Sequence, residues 1–247
     1  GYNWLMRNYD GAMDSNPHNI GKAYFCKNSG TGIDKFLDEY LPTYKATHKD
    51  GLWCFITCNH DTIRPSAGLT TDELRLAYAT IFTLPGAPFV YYGDEIGMRY
   101  LPLPTKEGGY FRTGSRTPMQ WDASENAGFT TGTPWIGIAD NYKAINAAAQ
   151  MDAPDSIRSF YKTLVALRKK MPVISAGKIE FWYPDNADLL AYRRYDGETE
   201  LLVLCNLRER EIAKPLPVGW TDAEKLLGNY PDTADTLRPY ECVVLKK

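Results

Sequence analysis

The chain has 247 residues, with 28 Lys and Arg against 30 Asp and Glu, a formal charge of −2, and 44% hydrophobic and 23% charged residues. These are the values of a globular chain with a sizeable core, and they exclude a disordered or coiled-coil protein. The near-neutral balance gives no reason to expect nucleic acid or an anionic membrane as partner, and no apolar run approaches the roughly 18 residues of a membrane span.

Residues 1–31 are rich in Gly, Asn and aromatics and show no sustained period. Ile33, Phe36, Leu37, Tyr40, Leu41 and Tyr44 then recur at helical spacing, and Pro42 is expected to kink or end that helix. LWCFITC (52–58) is a continuous apolar run of strand length, the pattern of a parallel strand buried on both faces. Thr70 and Glu73 form a capping box for a helix with Leu74, Ala77, Tyr78 and Ile81 inward, which stops at Pro85-Gly86. APFVYY (87–92) is a second such strand, and strand–helix–strand order predicts a parallel βα architecture.

Residues 93–154 hold little periodicity, and loops of that length carry function more often than not. A helix follows with Ile157, Phe160, Tyr161, Leu164 and Val165 inward and Arg168-Lys169-Lys170 suited to its C-terminal dipole; Met171-Pro172 ends it. After about residue 175, LLAYRRY, ELLVLCNL, AEKLLGNY and YECVVL read as short strands between polar turns, a small antiparallel β-domain.

Five cysteines show no CxxC spacing. Cys54 and Cys58 on one strand stand about 13 Å apart, beyond the roughly 7 Å that a disulfide spans. Reduced cysteines favour a cytoplasmic location. His18 and His48 are isolated, no spacing suggests zinc, and Asp140 and Asp152 do not form a calcium loop, so no metal or cofactor is expected.

The strongest constellation is Asn59-His60-Asp61 directly after the first strand. In parallel βα proteins the C-terminal ends of strands open onto the ligand site. A carboxylate beside an imidazole there can stabilise a cation, act in acid–base chemistry or bind metal, while the same three residues are also common loop formers.

FITCNHD resembles the seventh-strand motif of the α-amylase family of glycoside hydrolases. PGAPFVYYGDEIGM (85–98) is similar to that family's eighth strand and following loop. RTPMQWD (116–122) with NAGF (126–129) resembles the oligo-1,6-glucosidase and trehalose synthase branches, and INAAAQ (145–150) and LRPYECVVL (237–245) fit them too. The resemblance covers roughly residues 32–247. It implies the C-terminal part of a (β/α)8 TIM barrel over residues 1–172, followed by a small antiparallel β-sandwich over 175–247.

By the same resemblance Asp61 is the carboxylate that grips sugar hydroxyls and stabilises the oxocarbenium-like transition state. His60 and Arg116 reach the same sugar, and Arg64 is either a wall of the pocket or a salt-bridged arginine. Retaining glycosidases also need a nucleophilic carboxylate and a protonated acid about 5–5.5 Å apart. Neither of the family's motifs for these is found: Asp10 and Asp14 lack an arginine two residues before them, and Arg7 is three residues before Asp10.

Tyr91 to Glu95 read as shaping the barrel rim, with Gly93 allowing a tight reversal and Glu95 satisfying buried donors. Trp121, Phe129 and Trp135 stack on sugars or, as loop aromatics usually do, anchor the loop to the core. The expectation is a fragment of a retaining enzyme for α-glucosidic bonds of small oligosaccharides, inactive alone. Its exposed barrel edge would be covered by a complementary N-terminal piece or by self-association. The alternatives are a trehalose-synthase-like transglycosidase, suited by the short stretch 99–115 but lacking an acidic residue after Asp61, and a non-catalytic carbohydrate-binding relative.

Overall fold

A computed structural model describes residues 23–27, 29–104 and 112–247. Asp10, Asp14, Arg7 and His18 lie outside the described residues. The first helix, α1 (Ile33–Thr47), runs on past Pro42 for a further turn. Pro42 and Asp38, whose carbonyl the proline cannot engage, both face solvent, where water replaces the missing bond. The helix is held instead by aromatic packing: Tyr40 stacks on Phe36 and Tyr44, with centroids at 5.4 and 5.5 Å, and meets Trp53 edge-on.

β1 (Cys54–Ile56) and β2 (Ala87–Phe89) pair in parallel, Cys54 opposite Ala87 and Ile56 opposite Phe89, with α2 (Thr71–Thr83) as the crossover. Both strands are shorter than the apolar runs suggest. Among the described residues each pairs only with the other, and Phe89 is 55% exposed instead of buried.

α2 carries the expected capping box. Thr70 Oγ1 accepts from Glu73 N–H, and Glu73 Oε2 accepts from Thr70 N–H at 2.7 Å. Glu73 Oε1 also accepts from Lys27 N–H, so this buried carboxylate ties a preceding segment to the helix. Leu74, Ala77, Tyr78 and Ile81 are buried as expected, but so are Leu76, Ala79 and Phe82. The helix is covered on more than one side because it packs on β2, on two later helices and on a later strand.

α3 (Ile157–Lys170) buries Ile157, Phe160, Leu164 and Leu167, while Tyr161 and Val165 are only half-buried. Arg168 does not serve its own helix end. Its guanidinium donates to the carbonyls of Phe82 (2.8 Å), Leu84 and Gly86, closing the C-terminus of α2.

After the short α4 (Pro172–Ala176) comes a five-stranded antiparallel sheet, in the spatial order β3 (Lys178–Trp182), β4 (Leu189–Tyr195), β5 (Glu200–Asn206), β9 (Cys242–Lys246) and β7 (Glu224–Gly228). A two-stranded antiparallel sheet, β6 (Ile212–Ala213) with β8 (Thr236–Leu237), stands apart from it. Side chains alternate across the large sheet. Leu190, Tyr192, Val203 and Val244 pack on the helices, whereas Leu189, Leu202, Leu204 and Val243 meet Trp220 and Leu237. One hydrophobic core therefore runs from Tyr24 through the helices to Val244, across the change in texture near residue 175. No disulfide joins the five cysteines, although Cys205 and Cys242 face each other across β5 and β9 with sulfurs 3.3 Å apart.

Candidate active site

The chain leaves β1 through Thr57 and Cys58 into a turn that presents His60 and Asp61. Asn59 Oδ1 accepts the Asp61 N–H at 2.8 Å, and Asn59 N–H donates to Thr62 Oγ1 at 3.0 Å, an Asx turn that leaves the two side chains outward. Asp61 is about half exposed and His60 more so.

Two arginines converge on one oxygen of Asp61: Arg112 Nη1 at 2.8 Å and Arg116 Nη2 at 3.0 Å, both on Oδ1. Arg116 Nε also donates to the His60 carbonyl at 2.8 Å, and His60 Nε2 lies 3.3 Å from Asp61 Oδ2. The Arg112 hydrogen bond does most to hold the Asp61 carboxyl below its ordinary value, against partial desolvation, and His60 and Arg116 add to it. The carboxylate is thus fixed, ionised and about half exposed, with His60 beside its Oδ2.

The structure brings Asp61, His60 and Arg116 together. Arg64 it places elsewhere: the side chain is 0% exposed and lies beneath the turn, with Nη1 on Asp94 Oδ1 at 2.9 Å, so it is a buried ion pair rather than a pocket wall. Of the two openings for Arg64 in the sequence, the salt-bridged one is observed. Asp94 also accepts from Thr57 Oγ1 (2.6 Å) and Cys58 Sγ (3.0 Å), and burial pushes its carboxyl up against the pull of these donors and of Arg64. Asp94 therefore takes buried side-chain donors, while Glu95 accepts the backbone N–H groups of Gly93 and of Glu95 itself. Gly93, at φ 84°, makes the reversal that a residue with a Cβ could not make without striking Met98.

Arg112 was not singled out by the sequence. The only signal is its four-residue spacing from Arg116, which carries no direction in an irregular segment. The loop aromatics also differ from expectation: Trp121, Phe129 and Trp135 are 52%, 50% and 62% exposed and do not anchor the loop. Backbone bonds do that instead, Trp121 and Asp122 N–H to the Ala127 carbonyl and Ala147 N–H to the Gln120 carbonyl. With Tyr92, Glu95 and Arg116 the aromatics line a cleft of about 440 Å³ beside Asp61's arginine clamp. Burial raises the Glu95 carboxyl there. Among the described residues no group of three or more His, Cys, Asp or Glu side chains converges as a metal site would require.

A strand-end Asn-His-Asp above a parallel βα unit, clamped by arginines from a long following loop, stands where parallel βα folds bind their ligands. Residues 18–177 match the family described as alpha amylase, catalytic domain, and the chain belongs to that family. It is 36% identical to an oligo-1,6-glucosidase of Heyndrickxia coagulans over 75% of this chain and 40% of that protein. It is 33% identical to a trehalose-6-phosphate hydrolase of Bacillus subtilis (strain 168) over 85% of this chain and 45% of that one. Among solved structures, a trehalose-6-phosphate hydrolase of Bacillus licheniformis superposes with a TM-score of 0.75 at 30% identity, covering 87% of this chain and 46% of its own. A trehalulose synthase superposes at 0.78 and 28%, covering 87% and 47%. The chain therefore spans less than half the length of these relatives.

Proposed function

We propose that this chain supplies the sugar-gripping, transition-state-stabilising part of a retaining glycosidase site, and that the whole protein cleaves α-glucosidic bonds in small oligosaccharides. The observation that carries this is the half-exposed Asp61 carboxylate, held ionised at a strand end by two guanidiniums on Oδ1 with the His60 ring beside Oδ2. A carboxylate accepts hydroxyl protons and gives none, so Oδ2 can hold a hydroxyl of the sugar ring, and that bond strengthens as the ring flattens towards an oxocarbenium ion. With two arginines on its other oxygen, Asp61 is an orienting acceptor more than a bare counter-charge. His60 and Arg116 flank the same hydroxyls.

Within this proposal residues 1–172 are the last part of a (β/α)8 barrel and 175–247 the family's C-terminal β-sandwich. Two sheets with a shared apolar layer of Leu204, Trp220 and Leu237 support the latter. The nucleophile and general acid would come from the family's earlier barrel strands. The trehalulose synthase among the structural neighbours favours transfer to a sugar acceptor as the second reading.

The test is hydrolysis of p-nitrophenyl α-D-glucopyranoside by this chain combined with a polypeptide carrying the family's earlier strands, alongside calorimetric binding of isomaltose. Turnover is expected to fall on the order of 10²–10³-fold in Asp61→Asn. Sugar binding and turnover indifferent to that substitution would sink the proposal.

A further inference from the structure

We propose that the buried Arg64–Asp94 pair is a positioning element, holding the loop that carries Arg116 in register with the turn that carries Asp61. The functional consequence rests on Asp61 gripping a sugar; the positioning itself does not.

The pair is costly where it stands. Arg64 is 0% and Asp94 1% exposed, and Arg64 Nε has no partner among the described residues. A fully desolvated ion pair barely offsets its own dehydration, so what this one contributes lies in the hydrogen bonds that it makes to its neighbours. Cohesion alone does not account for the choice.

The connections do. Asp94 Oδ2 takes the hydroxyl of Thr57 and the thiol of Cys58, the last two residues before the Asn-His-Asp turn. Thr57 Oγ1 in turn accepts the Tyr91 N–H at 3.0 Å, and the Asp94 carbonyl accepts from Tyr78 on α2 at 2.8 Å. This fixes the exits of β1 and β2 to each other and to the helix between them. From Asp94 Oδ1 the planar guanidinium reaches across: Nη1 also donates to the Tyr92 carbonyl (2.6 Å), and Nη2 to the carbonyl of Ser115 (3.0 Å). The rings of Tyr91 and Tyr92 hold its plane, with centroids at 5.0 and 4.9 Å. Ser115 immediately precedes Arg116, and its hydroxyl donates back to the Thr62 carbonyl, one residue past Asp61.

Beside the direct bond, two further links join the Asp61 turn to Arg116: Thr62 to Ser115 without the pair, and Cys58 through Asp94 and Arg64 to Ser115 by way of it. The direct link is a 3.0 Å hydrogen bond, which a shift of about 1 Å would abolish. A single planar fork that binds a carboxylate and two carbonyls at once is a task for arginine and not for lysine, whose ammonium is a point charge on a flexible stem.

The test uses the full chain with ¹³C-labelled aspartate. The carboxyl titration of Asp61 is followed by NMR, with His60, Arg112 and Arg116 as its charged neighbours, and 1-deoxynojirimycin binding is measured by calorimetry. The double variant Arg64→Met/Asp94→Leu is expected to fold with a lower Tm, because the Tyr92 and Ser115 carbonyls and the Thr57 hydroxyl lose buried partners. In it Asp61 should titrate closer to the ordinary 3.8, and affinity for 1-deoxynojirimycin should drop between about 10-fold and 100-fold. Should the double variant not fold, Arg64→Lys gives the same readouts with a smaller shift. A folded variant of either kind with Asp61 titrating as in the original chain and affinity intact overturns the proposal and leaves the pair merely structural. If the unaltered chain fails to bind 1-deoxynojirimycin, the glycosidase reading falls while the Asp61 titration still decides on positioning.

Discussion

Arg194 in the sheet region and Arg64 beneath the site are both completely buried, yet the two regions hold them in different ways. Arg194 bonds only to main-chain carbonyls among the described residues: Thr83 at the end of α2 (2.9 Å), Val173 and Gly177 at the end of α4 (3.2 and 2.7 Å) and Lys178 on β3 (3.1 Å). It neutralises the partial negative charge of two helix C-termini, and burial lowers its pKa to about 10. Arg64 instead pairs with a carboxylate and bridges irregular segments. A guanidinium satisfied by the ends of regular elements builds the scaffold; one strung between loops sets where other side chains stand.

That contrast can be broken by experiment. The largest effect is expected for Asp94→Asn, which leaves the Arg64 charge buried without its carboxylate and should cost about 3–5 kcal/mol in urea unfolding while also raising the Asp61 titration. Arg194→Met strips four carbonyls of their donor and should cost about 2–4 kcal/mol, with the Asp61 titration unmoved. A shift of Asp61 in Arg194→Met would erase the distinction between the two regions.

The smallest effect on stability belongs to Arg112→Gln, within about 0.5 kcal/mol at neutral pH because the pair is half exposed. It should show in how stability changes towards acid. The folded-state pKa of Asp61 lies below the ordinary 3.8, so its contribution is present above 3.8 and is lost as pH falls through the lower folded value. Thermal scans across that window should show a shallower acid loss in Arg112→Gln than in the unaltered chain, and equal slopes would discard the clamp.

What was legible in the sequence was local. The Thr70–Glu73 box is written within four residues, and Asn59-His60-Asp61 follows an apolar run whose end marks a strand exit. Arg116 came with its motif. Asp94 and Arg112 act through partners 30 and 51 positions away in the chain, and no local pattern encodes such pairings. The lengths of β1 and β2 depend on neighbouring strands and so could not be read from their own apolar runs. Pro42 failed as a stop because tertiary aromatic packing outweighs one missing hydrogen bond to a solvent-facing carbonyl. Trp121, Phe129 and Trp135 read as anchors because aromatic composition says nothing about which backbone bonds secure a loop.

The continuous core has a consequence for how the protein is made. α2 packs against β9, and Val244 belongs to the same apolar cluster as Leu76 and Phe82. Thr83, the last residue of α2, is synthesised 159 residues before Cys242, the first of β9. At ordinary translation speed that is a wait of roughly 8–30 s. Throughout it the side of α2 that β9 will cover stays exposed, and the core closes only when that strand emerges.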